Sequence, residues 1–178
     1  MSAPDSKMNR ISLAHLGALE REAFVDALTG IFEHSPWVAE RAWAARPFSS
    51  LEALAQAMER SMWEADPKEQ MTLIRAHPEL AGRAAIAGEL TPESTREQAG
   101  ARLDACSPEE FARLQALNAA YNTRFGFPFI LAVSGLDRTQ IIARFEERLH
   151  NEVPAEFAEA LSQIARIARL RLPQRVID

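Results

Sequence analysis

At 178 residues, with 47% hydrophobic and 25% charged side chains, the chain is long enough for one globular domain with a sizeable core. A formal net charge of −5, with 20 basic residues scattered among 25 acidic ones, excludes a nucleic-acid surface and a polybasic membrane patch, leaving small molecules or proteins as partners. No apolar run reaches bilayer length, the single Cys106 has no internal mate, and residues 1–10 lack the apolar stretch of a secretion signal, so the expected setting is cytoplasmic with no membrane partner.

Few glycines and abundant Ala, Leu, Glu and Arg favour helix, and no hairpin signal stands out. The expected fold is all-α, a compact single-domain bundle of about eight to ten short helices over residues 1–178, with 1–10 mobile. From Ser12, the spacing of Leu13, Leu16, Leu19, Phe24, Leu28 and Ile31 predicts one or two helices ending near Gly30. Ser35-Pro36 reads as a cap with proline in the first helical position, opening a short helix through Trp37, Val38 and Trp43 that Arg46-Pro47 closes. Ser50 caps the next, whose core face is Leu51, Leu54, Ala55, Met58 and Met62. Asp66-Pro67 begins a helix that delivers His77, and Thr91-Pro92-Glu93 begins another. Ser107 and Glu110 form a capping box for a helix that turns Phe111, Leu114, Leu117 and Tyr121 inward and stops before Gly126. The apolar run from Phe125 to Val133 contains Gly126 and Pro128, so it is expected to be extended and buried, with backbone groups in need of partners. Asp137 opens a helix with Ile141, Ile142, Phe145 and Leu149, and a last helix runs from Val153 to Leu172 through Phe157, Leu161, Ile164 and Leu170.

The chain has no glycine-rich phosphate loop, no G-x-S-x-G elbow and no His or Cys pair at metal-ligand spacing, so neither a cofactor nor a metal is expected. Cys106 has nothing nearby to lower its pKa and reads as a small packing residue. Of His15, His34, His77 and His150, the third stands out. Leu73 and Ile74 precede it at helical spacing, so a helix ending there aims it at their buried side, while Pro78 disfavours α geometry at His77 itself. Carbonyls at a helix end favour imidazolium, whereas a new helix opening at Pro78 would oppose it. A structural histidine is the alternative. Ser94-x-x-Glu97 has capping-box spacing, yet Thr91-Pro92 already caps. In that case Ser94, Glu97 and Gln98 share one polar helix face, suited either to solvent or to a small polar ligand. Arg148 borders the stripe of Ile141 and Phe145, where a guanidinium reaches an anionic substrate, solvent or a neighbouring Glu.

These residues carry a family resemblance. His77-Pro78-Glu79-Leu80-Ala81-Gly82, Leu90-Thr91 through Ser94-x-x-Glu97-Gln98, Leu117-Asn118-x-x-Tyr121 and Phe125-Gly126-Phe127-Pro128-Phe129 resemble the 2-oxo-4-hydroxy-4-carboxy-5-ureidoimidazoline (OHCU) decarboxylases of urate degradation. Ile31 through Trp37, Arg46-Pro47-Phe48 and Arg148-Leu149-x-Asn151 also fit, so the likeness runs from about Phe24 to about Asn151. It implies a cofactor-free, all-helical enzyme, with dimeric members in the family, that converts OHCU to (S)-allantoin and CO2. The family's catalytic acid falls on His77 and its catalytic glutamate on Glu97. Its substrate contacts fall on Pro78, on Ser94, Thr95, Arg96, Glu97 and Gln98, and on the backbone of Phe129, Ile130, Leu131, Ala132 and Val133. Arg148 takes the place of its substrate-binding arginine, and Glu79 stands where the family often has aspartate. The expected chemistry is proton delivery by His77 while Glu97 orients the substrate and keeps His77 charged. A ureide hydrolase or a non-catalytic helical interaction domain are the rival classes.

Overall fold

Proline after a capping residue starts three of the helices, at Pro67, Pro92 and Pro108, because proline needs no N–H partner in the first turn and the preceding side chain supplies an acceptor for the next donors. The computed structural model describes residues 10–178, so the expectation of mobility for residues 1–9 lies outside the described residues. Ten α-helices follow in order among these: α1 (Leu13–Ala18), α2 (Arg21–Ala27), α3 (Pro36–Ala42), α4 (Leu51–Trp63), α5 (Pro67–Ala76), α6 (Arg83–Ala87), α7 (Pro92–Gly100), α8 (Pro108–Phe125), α9 (Arg138–Arg148) and α10 (Val153–Arg175). Asp66, Ser107 and Asp137 each close a full capping box. Ser50 and Thr91 accept from the backbone three residues on. Ser35 does not cap: its hydroxyl turns back to the Glu33 carbonyl at 2.9 Å.

The long α10 packs against α4 and α5, α4 against α3, and α9 against α8 around one continuous core. No helix among the described residues is long and apolar enough to cross a membrane. Several expectations need correction. A short parallel pair, Ile11–Ser12 with Val176–Ile177, joins the two ends of the described chain, and pairing so remote in sequence leaves no local signal. No helix begins at Pro78; the chain instead turns through Leu80 and Ala81 before α6, whose five residues are too few to show a period. Phe111 and Leu170, expected inside, are 36% and 43% exposed. Each borders a surface hollow, Phe111 with Ile86 and Leu90, and Leu170 with Gln174.

The 127–133 segment is non-helical and buried throughout. Its aromatic rings anchor it: Phe129 stacks on Phe145 with centroids 3.8 Å apart, and Tyr121 meets Phe127, Phe129 and Phe145 edge-on. Side chains answer its stranded backbone. Arg148 Nη1 donates to the Ile130 carbonyl at 2.6 Å, and the Ala132 N–H donates to Gln163 Oε1 at 3.0 Å.

Candidate active site

His77 caps α5 in extended geometry, with φ −78° and ψ 138°, as the following proline requires. The ring lies buried against its own helix, with Nδ1 3.1 Å from the Leu73 carbonyl. A carbonyl only accepts, so Nδ1 carries the hydrogen and Nε2 is the nitrogen left for proton exchange. Burial pushes His77 down to about 4, against the pull of the Leu73 hydrogen bond and the Glu33 charge, with Arg171 and His34 adding to the downward push. The imidazole is therefore neutral at pH 7, and burial overrides the helix-end bias towards imidazolium. Among the carboxylates it is Glu33 whose charge favours the protonated ring, the part expected of Glu97.

The turn after His77 leaves backbone groups that three side-chain amides satisfy, while a fourth holds its glutamate. Ala81, in left-handed geometry at φ 49°, donates its N–H to Gln98 Oε1 at 2.9 Å and accepts from Gln115 Nε2 at 2.7 Å. Asn118 Nδ2 donates to the Leu80 carbonyl at 3.0 Å, and Asn122 holds the Glu79 carboxylate. At Gly82 a Cβ would stand 2.5 Å from that of Glu79, so only glycine closes this turn. The motif residues around His77 thus form a hydrogen-bonded wall.

Packed against that wall through Gln98, α7 presents Ser94, Glu97 and Gln98 on one face, as the cap at Thr91 predicts. Their organiser is Arg171 of α10, which the sequence reading missed. Its Nε and Nη2 donate to the two oxygens of Glu97 at 2.6 and 2.8 Å, and its Nη1 donates to Glu33 Oε2 and the Gly30 carbonyl, both at 2.8 Å. Burial lowers the proton affinity of Arg171, but Glu97 and Glu33 more than reverse this and secure its charge. Burial likewise favours a neutral Glu33 carboxyl, yet the Thr91 hydroxyl and Arg171 hold it below the ordinary carboxylate range.

His77, Pro78, Ser94, Glu97, Gln98 and Arg171 line one cavity, walled by Leu80, Phe129, Ile130, Leu131, Val133 and Ile167. Its inner part has a volume of about 30 Å³. Past Glu97, Val133, Ile167 and Arg171, which border both spaces, a hollow of about 260 Å³ opens towards Arg96, Ala132, Ser134 and Gln174. Of the expected contacts, Arg96 and Ala132 therefore border the outer space only. Two are corrected. Thr95 is exposed and bonds back to the Thr91 carbonyl at 2.9 Å. Arg148 is buried outside the cavity, where it donates to Glu156 and to the Ile130 carbonyl and lies 4.4 Å over the Phe129 ring. His15, His34 and His150 are exposed, and burial pushes the half-buried Cys106 thiol up, away from nucleophilic use. No group of three His, Cys, Asp or Glu suited to a metal occurs among the described residues.

A family model described as OHCU decarboxylase matches residues 17–173. A 2-oxo-4-hydroxy-4-carboxy-5-ureidoimidazoline decarboxylase of Haloferax volcanii is 43% identical over 94% of this chain and 98% of its own. The chain belongs to the OHCU decarboxylase family. A second relative of that name, from Halalkalicoccus jeotgali, is 40% identical over 96% of this chain and 94% of its own. Among solved structures, the crystal structure of an (S)-allantoin synthase matches this OHCU decarboxylase family member at a TM-score of 0.73 with 27% identity, over 93% of this chain and 54% of that one.

Proposed function

We propose that this protein is a carboxy-lyase that converts OHCU to (S)-allantoin and CO2 in urate degradation, and that the cavity between His77 and Glu97 is where it does so. The observation that carries the site is convergence: the motif residues of the α5 end, of α7 and of the 129–133 segment border one small space. Family membership carries the reaction. The inner cavity is too small for a whole OHCU molecule, and the contiguous outer hollow supplies the remaining room.

In the reaction, the bond from the hydroxyl-bearing ring carbon to the carboxylate breaks. Its electron pair enters the conjugated ring as CO2 leaves, and one proton then forms the C–H bond of allantoin. A carboxylate substrate thus consumes one proton overall, and His77 Nε2 is placed to deliver it. With only the cavity's own charges nearby, His77 is neutral at pH 7. An anionic substrate beside it favours the imidazolium, so binding takes up the proton that chemistry spends. Glu97, clamped by Arg171, accepts from substrate N–H groups and fixes which ring face meets His77. The apolar walls strip water from the carboxylate and ease its loss. The cytoplasmic setting rests on the single unpaired cysteine.

OHCU generated fresh decays spontaneously, so the test is the rate of its loss with and without purified protein and the handedness of the allantoin formed. Faster loss with one enantiomer supports the reading. Ammonia or a ring-opened product points to a ureide hydrolase, and no acceleration refutes the enzyme.

A further inference from the structure

We infer that Glu33 is a positioning residue that fixes the hydrogen-bond polarity of the cavity, making Ser94 an acceptor beside the Glu97 carboxylate and so matching the site to a ligand rich in N–H groups. The inference rests on the reading that OHCU binds here. Glu33 lies in the turn between α2 and α3, is 1% exposed, and does not itself border the cavity. Its Oε1 accepts from the Thr91 hydroxyl at 2.6 Å and the Ser94 hydroxyl at 3.0 Å, while its Oε2 accepts from Arg171 Nη1 at 2.8 Å.

An ionised carboxylate has no hydrogen to give, so the single hydroxyl hydrogen of Ser94 points at Glu33. Arg171 Nη2 donates to the same Ser94 oxygen at 3.3 Å. What Ser94 has left for a ligand is a lone pair. Arg171 has spent its five hydrogens on Glu97, Glu33, Ser94 and the Gly30 carbonyl, so it shows none to a ligand and leaves Glu97 as a second acceptor. Gln98 gives its oxygen to the Ala81 N–H and one hydrogen to the Glu79 carbonyl, keeping one hydrogen free. The polar rim therefore accepts more than it donates. A ureido arm and a ring nitrogen bearing hydrogen complement that pattern, whereas a ligand offering only acceptors leaves Ser94 and Glu97 unmatched.

Glu33→Gln keeps the shape but not the polarity, because its amide must place an NH2 either against Arg171 or against Thr91 and Ser94, and the second choice turns the Ser94 hydrogen towards the ligand. Steady-state kinetics on OHCU with the full chain test this. Glu33→Gln should raise KM about tenfold, the loss of one hydrogen bond to a ligand, with a smaller fall in kcat. Glu33→Asp should recover part of that KM. Glu33→Gln combined with Ser94→Ala should be no worse than the single variants to within about twofold, since both remove one acceptor. A Glu33→Gln KM equal to wild type, or single effects that multiply in the double variant, overturns the inference. Should Glu33→Gln fail to fold, Ser94→Ala decides: a KM about tenfold higher supports the inference, and an unchanged KM overturns it. A wild-type protein that does not accelerate OHCU loss is a different failure, that of the function itself.

Discussion

Two buried arginines, Arg148 and Arg171, sit on apolar helix faces and hold carboxylates across the fold, yet only one borders a cavity. The Arg148 partner, Glu156, is wholly enclosed and takes four donors: the Tyr121 hydroxyl, Nε and Nη2 of Arg148, and Asn151 Nδ2. Three converge on Oε1 and one on Oε2, matching in number the roughly four acceptor sites of a carboxylate. Glu97 takes two donors, both from Arg171, and keeps 29% of its side chain exposed. A finished knot braces, and an unfinished one binds. Burial or ion pairing alone does not separate the two, because a buried pair is weak evidence even for stability. The spare acceptor sites beside His77 do.

The comparison breaks most sharply at the arginines themselves. Arg171→Met leaves Glu33 buried without its cation and should cost roughly 3–5 kcal/mol in urea unfolding, with activity lost. Arg148→Met should destabilise to a similar degree by stranding Glu156, while the molecules that remain folded turn over OHCU within a few-fold of wild type. Equal losses of kcat in both would erase the distinction.

Protonation sharpens it next. His77 is held at about 4 in the folded chain against an ordinary 6.5, so the unfolded chain binds the extra proton first as pH falls. Stability should therefore decline from pH 6.5 to pH 4, by roughly 3 kcal/mol, and His77→Asn should remove that decline. Urea midpoints at pH 4, 5 and 6.5 check this, and an unchanged slope in the variant would mean that His77 is not the group responsible. Glu97→Gln comes third: kcat should fall about a hundredfold while stability changes by no more than about 1 kcal/mol, since Arg171 keeps Glu33. Stability loss with activity intact would make Glu97 a structural residue. Thr95→Ala should do least, within about 0.5 kcal/mol and with kcat unchanged, because the side chain faces solvent.

Local chemistry made much of this legible. Asp66-Pro67, Thr91-Pro92 and Ser107-Pro108 announce their helices within a few residues, and His77 with the Ser94-x-x-Glu97-Gln98 face can be read from one stretch each. Arg171 could not be read that way. It lies in line with Ile164 and Ile167 on α10, just as Arg148 lies in line with Ile141 and Phe145 on α9. The same signal, an arginine on an apolar stripe, marks both, and the sequence reading gave Arg148 the place at the cavity that Arg171 holds. Only the three-dimensional position of Glu33 and Glu97, two carboxylates from distant segments closing on one point, decides which arginine belongs there. Asn118 and Gln115 were obscure for a related reason: they serve a turn more than thirty residues away in the chain.

The most direct test of the central claim is the product formed from fresh OHCU by His77→Asn, followed by circular dichroism alongside its thermal unfolding. A folded protein that clears OHCU no faster than spontaneous decay and yields racemic allantoin is the predicted result. A folded variant that keeps near-normal turnover and still delivers one enantiomer would contradict it.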